Sequence, residues 1–144
     1  MIPTIRRLRV AALALSFIAG SFAAVAPAVA QEAAVQADAR ATLIQYDPGA
    51  TDLASIAAQQ EKTVVFFFAT WCPNCILTLS ELSEKWSQVE SDITLVIADY
   101  DTEIALKTKY GVTYQDTFVL LDAQANGVKL WNAGGVAGLN ANTR

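Results

Sequence analysis

The chain has 144 residues, with ten basic and fourteen acidic side chains and no histidine. This length suits a single domain, and the lack of histidine excludes Ser-His-Asp and Cys-His catalytic sites and zinc sites that need imidazole. The formal net charge of −4 argues against a nucleic-acid partner, because neutralising phosphates requires clustered Lys and Arg. Two cysteines, Cys72 and Cys75, permit at most one intrachain disulfide and cannot form a four-thiolate metal site.

Residues 1–30 have the features of a signal peptide. Three arginines precede an uncharged stretch, residues 10–30, which ends in the small-x-small pattern Ala28-Val29-Ala30. We expect cleavage after Ala30 and a periplasmic or secreted product, in a compartment where a disulfide persists. That product has seven basic and fourteen acidic side chains, a net charge of −7. The alternative is an uncleaved membrane anchor, because the uncharged stretch is about long enough to span a bilayer. Only in this case do we expect the protein to contact a membrane.

The first part of the exported chain predicts a lead-in, a strand, a helix and a second strand. Residues 31–40 are polar and rich in alanine, which favours disorder, and the domain is expected over residues 41–144. Residues 41–46 have a modest strand pattern, and Thr51 or Asp52 then caps a short helix. Residues 64–68 form an uninterrupted apolar run, which is typical of a central strand covered on both faces.

A longer amphipathic helix is predicted over residues 75–89. Apolar side chains recur there at three- and four-residue steps, with charged residues between them; they are Ile76, Leu79, Leu82 and Trp86. A buried strand follows at residues 93–98, and then a helix over residues 103–110 that Gly111 closes.

The chain ends with two predicted strands, residues 117–121 and 128–131, joined by an Asn126-Gly127 turn signal. After Trp131 there is room for little more than one helical turn. Parallel crossovers followed by a hairpin predict an α/β fold, a mixed sheet with helices on both faces.

The two cysteines lie where a buried strand passes into a helix. Cys72 is near the start of this helix, where unpaired N–H groups and the macrodipole favour an anion such as a thiolate. Cys75 follows one turn later on the same face, and Pro73 suits the first helical turn. We expect an exposed Cys72 to attack a substrate disulfide and Cys75 to resolve the mixed disulfide. Trp71 is expected to shield one side and contact the incoming protein.

The motif Ala-Thr-Trp-Cys-Pro-Asn-Cys at residues 69–75, between strand and helix, resembles the active site of the thioredoxin superfamily. Residues 109–112 and 117–120 resemble the family's approach to its fourth strand, and the likeness covers about residues 41–131. The resemblance implies a thioredoxin-like mixed sheet flanked by helices and thiol–disulfide exchange. The implied partners are protein thiols or disulfides and an unidentified redox partner, with no bound cofactor. Asn74 belongs to the same motif.

The sequence departs from the thioredoxin pattern at three places. The usual cis-proline before the fourth strand corresponds to Asp116, which Thr117 follows. The usual buried aspartate beneath the cysteines corresponds to Phe66, so no evident acid is present to accept the proton of Cys75. The last helix is truncated or absent, which predicts that one face of the sheet is thinly covered.

Asp116 has two orientations with opposite consequences. A carboxylate about 4 Å from Cys72 would repel the thiolate by about 4 kcal/mol near the protein surface, against the roughly 0.3–1 kcal/mol that a helix N-terminus typically contributes. The thiolate pKa would then rise, and the protein would be a reductant. A carboxylate that faces solvent would repel the thiolate by only about 1 kcal/mol. We expect the first orientation, in which the protein is a reductant.

A redox-silent binding module on the same scaffold is the alternative function. The missing cis-proline and the missing buried acid remove parts of the usual apparatus, and Asp116 beside two thiolates would supply a third ligand for zinc or copper. An inert disulfide is a weaker alternative, because closing so short a loop restrains the unfolded chain little.

Overall fold

The computed structural model describes residues 40–144, so the predicted signal peptide and residues 31–39 of the lead-in lie outside the described residues. The strands are β1 (Thr42–Gln45), β2 (Lys62–Phe68), β3 (Ile93–Asp99), β4 (Thr117–Leu121) and β5 (Gly127–Asn132). The helices are α1 (Leu53–Gln59), α2 (Pro73–Glu84), α3 (Ile104–Tyr110) and α4 (Gly135–Asn142), with a 3-10 turn at Trp86–Gln88. Within residues 40–144, no helix has the length and apolar character needed to cross a membrane.

The five strands form one mixed sheet in the order β1-β3-β2-β4-β5. Strands β1 and β2 both run parallel to β3, whereas β4 runs antiparallel to β2 and to β5. The apolar run in β2 therefore occupies the centre of the sheet, as predicted. Since β2 has neighbours on both sides and helices over both faces, it requires apolar side chains at successive positions.

Alternate residues of β2 supply two separate hydrophobic cores. Val65 and Phe67 pack with residues of α1 and α3, including Leu53 and Leu106. On the opposite face, Val64 and Phe66 of β2 pack with residues of α2 and α4, including Leu82, Val136 and Leu139. This alternation places α2, which carries both cysteines, on the same face of the sheet as α4.

Phe66 lies at one end of a stack of three aromatic rings rather than beneath the cysteines. Its ring stacks on Phe118 with centroids 4.3 Å apart, and Phe118 stacks on Trp131 at 5.3 Å. These three residues are direct cross-strand neighbours on β2, β4 and β5. Such pairs stabilise a sheet beyond the burial of their area, so the apolar Phe66 stabilises the sheet at the position where a thioredoxin usually has its acid.

The C-terminal helix is short but longer than the sequence analysis allowed. The expectation of little more than one turn was wrong, since α4 has 8 residues. Val136 and Leu139 are buried against the sheet, and Asn140 accepts a hydrogen bond from the N–H of Glu90 at 3.0 Å. The face that was expected to be thinly covered therefore receives a short, well-anchored helix.

Two local predictions were wrong in detail. Helix α2 ends at Glu84, and the 3-10 turn continues its apolar spacing to Trp86. The turn before β5 is also longer than the Asn126-Gly127 pair. The Asp122 carboxylate accepts hydrogen bonds from the N–H groups of Gln124 and Asn126, and this arrangement organises a longer loop.

Gly127 lies at a closely packed position in β5. A Cβ at this position would lie 3.1 Å from the Val119 side chain and 3.2 Å from the Tyr110 ring. The positive φ in the loop belongs instead to Ala125, at 58°. The Asn126-Gly127 signal therefore located the hairpin correctly. The glycine, however, has no side chain and so allows β5 to pack closely against its neighbours.

Candidate active site

The loop between β2 and α2 places Cys72 at the start of the helix. Cys72 is the N-cap of α2, with extended backbone angles, and Pro73 occupies the first turn, where its missing N–H costs no hydrogen bond. The Cys72 N–H donates to the Ala69 carbonyl at 3.2 Å, and the Cys72 carbonyl accepts from Ile76 at 3.1 Å. The predicted position of Cys72 at a helix N-terminus is therefore confirmed.

The two sulfurs are neighbours and are both free thiols. The N–H of Cys75 donates to the Sγ of Cys72 at 3.3 Å, and the two side chains are also hydrogen-bonded to each other. Cys75 is fully buried, and only 3% of Cys72 is exposed. The expectation that Cys72 is exposed was wrong, because the loop and the start of α2 enclose its side chain. Of the two cysteines, Cys72 is the one with residual access to solvent.

The surroundings of Cys72 lower its pKa. Burial by itself raises the pKa, but hydrogen bonds to the sulfur outweigh this effect. The donors are the Cys75 side chain, the backbone N–H groups of Cys75 and Asn74, and the side chain of Gln115. Hydrogen bonds that favour the charged form lower a thiol pKa, and a helix N-terminus acts in the same direction. Cys72 is therefore the thiol that ionises first.

The surroundings of Cys75 have the opposite effect and raise its pKa to about 12. Burial is the largest cause, followed by the hydrogen bond with Cys72 and the negative charges of Cys72 and Asp116. The pair is therefore strongly asymmetric. Cys72 is suited to exist as a thiolate, whereas Cys75 retains its proton until Cys72 has lost its charge.

Asp116 is buried beside this pair, with 5% of its surface exposed. Its N–H donates to the Phe67 carbonyl at 3.0 Å and its carbonyl accepts from Ala133 at 2.9 Å, so the backbone is fixed to β2 and to the end of β5. Its φ is +58°, and the described residues contain no cis peptide bond. A positive φ thus makes the turn at the position where the family usually has a cis-proline, and Asp tolerates this conformation better than most residues.

The Asp116 carboxylate acts on Cys75, and of the two orientations considered from the sequence the solvent-facing one was wrong. The side chain is buried rather than solvent-facing, and its charge raises the pKa of Cys75. Burial raises the pKa of Asp116 itself, partly offset by a hydrogen bond with Thr78. Its Oδ1 atom is buried without a hydrogen-bond partner. The expectation that no acid serves Cys75 is also corrected, because an acid reaches the site from the loop before β4.

Two residues near Asp116 complete the site and were missed from the sequence. Thr78 is buried on α2, three residues after Cys75, and helical spacing alone would have placed the two on one face. The Gln115 side chain is among the influences that lower the Cys72 pKa; its position directly before Asp116 was the available signal. Thr117, which was predicted, fixes this loop: its hydroxyl donates to the Tyr114 carbonyl at 2.7 Å.

Trp71 and Asn74 flank the sulfurs on the solvent side. Trp71 is 59% exposed, and its Nε1 donates to the Asp101 carboxylate at 2.8 Å, which holds the ring beside the cysteines. Asn74 has an exposed side chain and contributes its backbone N–H to Cys72. Tyr114 is exposed in the same loop as Gln115. Trp71, adjacent to Cys72 in the chain, and Tyr114 therefore present exposed aromatic side chains on the two loops that contribute to the site.

The metal-binding alternative has no support in residues 40–144. No group of three or more Cys, Asp or Glu side chains there is arranged to hold a metal ion. A hydrogen bond with Thr78 is among the influences on the Asp116 carboxylate, and the N–H of Cys75 donates to the Cys72 sulfur.

Comparisons with known proteins agree with this geometry. The family model described as Thioredoxin matches residues 50–141. The chain is 32% identical over 78 residues to Thioredoxin-1 of Schizosaccharomyces pombe, a match that covers 54% of this chain and 75% of that protein. It is 33% identical over 70 residues to the mitochondrial Thioredoxin-3 of Saccharomyces cerevisiae, covering 49% of this chain and 54% of that relative.

The solved structures show the same fold. The crystal structure of Trxlp from Edwardsiella tarda EIB202 superimposes with a TM-score of 0.59 at 23% identity, covering 72% of this chain and all of that one. The family match extends over more than half of the present chain, and it includes both cysteines and the loop that carries Asp116. The chain therefore belongs to the thioredoxin family of thiol–disulfide oxidoreductases, which act on protein thiols and disulfides.

Proposed function

We propose that the protein exchanges disulfides with other proteins through Cys72 as the attacking sulfur and Cys75 as the resolving sulfur. The observation that carries this assignment is the asymmetry of the pair. The pKa of Cys72 is lowered by hydrogen bonds that outweigh its burial, whereas burial and nearby negative charge raise the pKa of Cys75 to about 12. Since the thiolate is the nucleophile, the first attack belongs to Cys72.

The exchange proceeds in two balanced steps. The Cys72 thiolate attacks one sulfur of a substrate disulfide, the substrate S–S bond breaks, and the departing thiolate takes up a proton from solvent. Cys75 then loses its proton and attacks the Cys72 sulfur, which releases the second substrate sulfur as a thiolate. Two electrons pass from the protein to the substrate, and a Cys72–Cys75 disulfide remains. The reverse sequence oxidises a substrate dithiol.

Asp116 is proposed to accept the proton of Cys75 in the second step, directly or through a water molecule. In the mixed disulfide Cys72 carries no charge, so the hydrogen bond and the repulsion by which it raises the Cys75 pKa are both removed. Burial and the Asp116 charge then remain as causes. A carboxylate whose own pKa is raised by burial is better matched to proton transfer near neutral pH than an ordinary aspartate.

The direction of net electron flow is proposed to be reduction of substrates. In the dithiol form the Cys72 thiolate and the Asp116 carboxylate place negative charge in the same buried region. Formation of the disulfide removes the thiolate charge and relieves this repulsion, which favours electron donation. The hydrogen bonds to Cys72 oppose this effect by stabilising the thiolate. The proposal that the protein is a reductant therefore depends on the position of Asp116. Replacement of this residue by asparagine is the decisive test.

Export is proposed from the leader at residues 1–30. When the full-length chain is expressed in a bacterium, we expect the mature protein to begin at Gln31 and to be released with the periplasmic fraction. N-terminal sequencing of the purified protein measures this directly. A protein that begins at Met1 and sediments with membranes would instead support the uncleaved anchor.

Reduction of insulin by dithiothreitol tests the proposed activity. We expect the wild-type protein to accelerate precipitation of the insulin B chain, because the Cys72–Cys75 couple passes electrons from the small thiol to the insulin disulfides. Protein whose Cys72 has been alkylated with iodoacetamide is the matched control and should not exceed the background rate. Equal rates for the untreated and alkylated proteins would reject the activity and favour a redox-silent binding module.

A further inference from the structure

Strand β1 is an open edge of the sheet in the part of the chain that the structure describes. It pairs with β3 on one side and stands at the end of the strand order. The Tyr46 N–H donates to the Ile97 carbonyl on β3 at 2.8 Å. Because the backbone groups of successive residues alternate in direction along a strand, those of Leu43 and Gln45 point away from β3. The N–H and carbonyl groups of these two residues therefore face the position of a further strand.

The open part of the edge begins at Leu43, because Trp86 closes the edge at Ala41. By the same alternation the Ala41 carbonyl points away from β3, and it accepts a hydrogen bond from Trp86 Nε1 at 3.2 Å. Ala41 is only 8% exposed, whereas Leu43 is 54% exposed. Proteins commonly protect a sheet edge with charged side chains, with proline or with a covering segment. The sequence of β1 is Thr-Leu-Ile-Gln, which includes no charge and no proline.

An apolar cavity of about 370 Å³ adjoins this edge on the α2 face of the sheet. Leu43 forms part of its lining, together with Leu79 of α2 and Trp86. The next residue, Ile44, points to the other face, where it packs against the core that α1 and α3 cover. Strand β1 therefore presents apolar side chains on both faces beside outward-facing backbone groups. This is the combination by which a sheet edge accepts an added strand.

The charges that flank β1 favour a second copy of the same chain as the added strand. Arg40 precedes the strand and Asp47 follows it. Two copies of β1 that run antiparallel therefore bring the arginine of each copy toward the aspartate of the other. Opposite charges that face each other across two strands stabilise the pair, and like charges destabilise it. Since β1 itself is uncharged, pairing with its own copy places no like charges opposite each other within the strand.

We propose that two copies of the chain associate through antiparallel pairing of their β1 strands, which joins the two sheets into one. The outward-facing backbone groups define the register: Leu43 of each copy exchanges hydrogen bonds with Gln45 of the other, and the two Ile44 residues face each other between these pairs. The two Leu43 side chains then lie diagonally across the interface, beside the apolar cavities. The interface is isologous and closes after two copies.

This association goes beyond the exchange activity and leaves the cysteines accessible. Strand β3 separates β1 from β2, which leads to the Cys72–Cys75 pair. The proposed interface therefore uses a different part of the sheet from the candidate active site.

Sedimentation equilibrium of the protein purified after expression of the full-length chain measures the association. We expect a monomer–dimer equilibrium. Leu43→Lys should raise the dissociation constant of the dimer at least about tenfold, because it removes apolar contact and brings two like charges near each other. The matched control is Val128→Lys, since Val128 is 57% exposed on β5, the opposite edge of the sheet, which already carries Lys129. This control should leave the dissociation constant unchanged.

Both variants add the same charge, so the comparison separates pairing at β1 from a general effect of charge. A wild-type protein that stays monomeric up to millimolar concentration would overturn the proposal. So would a dimer that Leu43→Lys leaves intact, or one that Val128→Lys weakens to the same extent. A monomer whose β1 edge binds an unrelated extended peptide would also contradict a second copy as the occupant.

A cross-linking variant tests the register and does not depend on the folding of Leu43→Lys. Ile44→Cys is made in protein whose two native cysteines are replaced by serine, so that each chain has a single thiol. Residues opposite each other at such an antiparallel position have Cα atoms about 4.5 Å apart, which a disulfide can span. With oxidised glutathione as the oxidant, we expect a disulfide-linked dimer on non-reducing electrophoresis.

Thr42→Cys in the same background is the control for this cross-link. In the proposed register Thr42 lies opposite Tyr46 of the second copy, so two thiols at position 42 are too far apart to form a disulfide. We therefore expect little cross-linked dimer. Equal cross-linking of the two variants, or no cross-linking of Ile44→Cys, would overturn the proposed pairing.

Discussion

A Cys75→Ser variant is expected to accumulate as a mixed disulfide with its substrate. The variant retains Cys72 and its helix N-terminus, so the first attack still occurs. The resolving thiol, however, is missing. A thiol held against its target has an effective concentration far above that of any thiol in solution, and loss of Cys75 should therefore lengthen the lifetime of the mixed disulfide by at least about a thousandfold. Non-reducing electrophoresis and mass spectrometry of protein incubated with oxidised insulin measure the adduct.

Cys72→Ser is the matched control for this experiment and should form no adduct. A thiol with a pKa of about 12 is ionised in about one molecule in 10⁵ at pH 7. Removing Cys72 eliminates two of the causes of that value, but burial and the Asp116 charge persist. Cys75 should therefore remain a poor nucleophile when it is alone. An adduct formed faster by Cys72→Ser than by Cys75→Ser would reverse the proposed roles of the two cysteines.

Replacing Asp116 with asparagine is expected to slow resolution of the mixed disulfide. Removal of a positioned general base typically costs about 10²- to 10⁴-fold in the step that it serves. The first attack should change less, because burial and hydrogen bonds are the largest influences on the Cys72 pKa, whereas the Asp116 charge is named among those on Cys75. Rapid mixing with a disulfide substrate, followed by acid quenching, measures the two steps separately. Resolution at the wild-type rate would exclude Asp116 as the proton acceptor.

The same variant tests the direction of electron flow. If buried negative charge at Asp116 favours the disulfide, Asp116→Asn should have a less negative reduction potential than the wild type, measured by equilibration with glutathione. The reduction potential of the wild-type protein should itself be more negative than about −220 mV. This threshold is the less reducing end of the range of potentials found for cytosolic glutathione. A potential for the variant that is no higher than that of the wild type would remove the support for a reductant.

The stability of Asp116→Asn provides an internal check on burial of the carboxyl. The pKa of Asp116 is raised in the folded protein above its ordinary value of 3.8. A carboxyl with a raised folded pKa contributes its full stabilisation below the unfolded pKa, and this contribution is lost as the pH rises through the folded value. Asparagine has no such dependence. The variant should therefore gain thermal stability relative to the wild type at neutral pH and lose that advantage in acid.

The hydrophobic pattern was sufficient to predict the architecture but did not determine the orientation of particular side chains. The apolar run in β2 and the glycine that closes α3 identified elements that the structure confirms. The spacing that continued α2 to Val89 is also satisfied by a 3-10 turn, because a single tight turn keeps Trp86 directed at the core. Periodicity describes which side of the chain is apolar, and it does not specify where the hydrogen bonding of a helix ends.

The candidate site was predicted where its residues are adjacent in sequence and missed where they meet only in the fold. The positions of Cys72, Pro73 and Cys75 follow from a strand that passes into a helix. The contacts of Asp116 and Gln115 depend on β4 lying antiparallel to β2, so that the loop before β4 is brought to the end of β2 near the cysteines. Whether Asp116 faces Cys72, Cys75 or water depends on its backbone angle, a φ of +58°, and on its side-chain rotamer, neither of which composition and spacing determine.

The central strand cannot acquire its second neighbour until most of the domain has been synthesised. Val65 pairs with Val96 on one side and with Val119 on the other, so the later partner lies 54 positions downstream. Folding that depends on such distant strand pairing is slow. Before it is paired, the Val-Val-Phe-Phe-Phe segment has the composition of an aggregation-prone strand. The nascent chain is therefore expected to need this segment kept apart from other chains until the last third of the sequence has been synthesised.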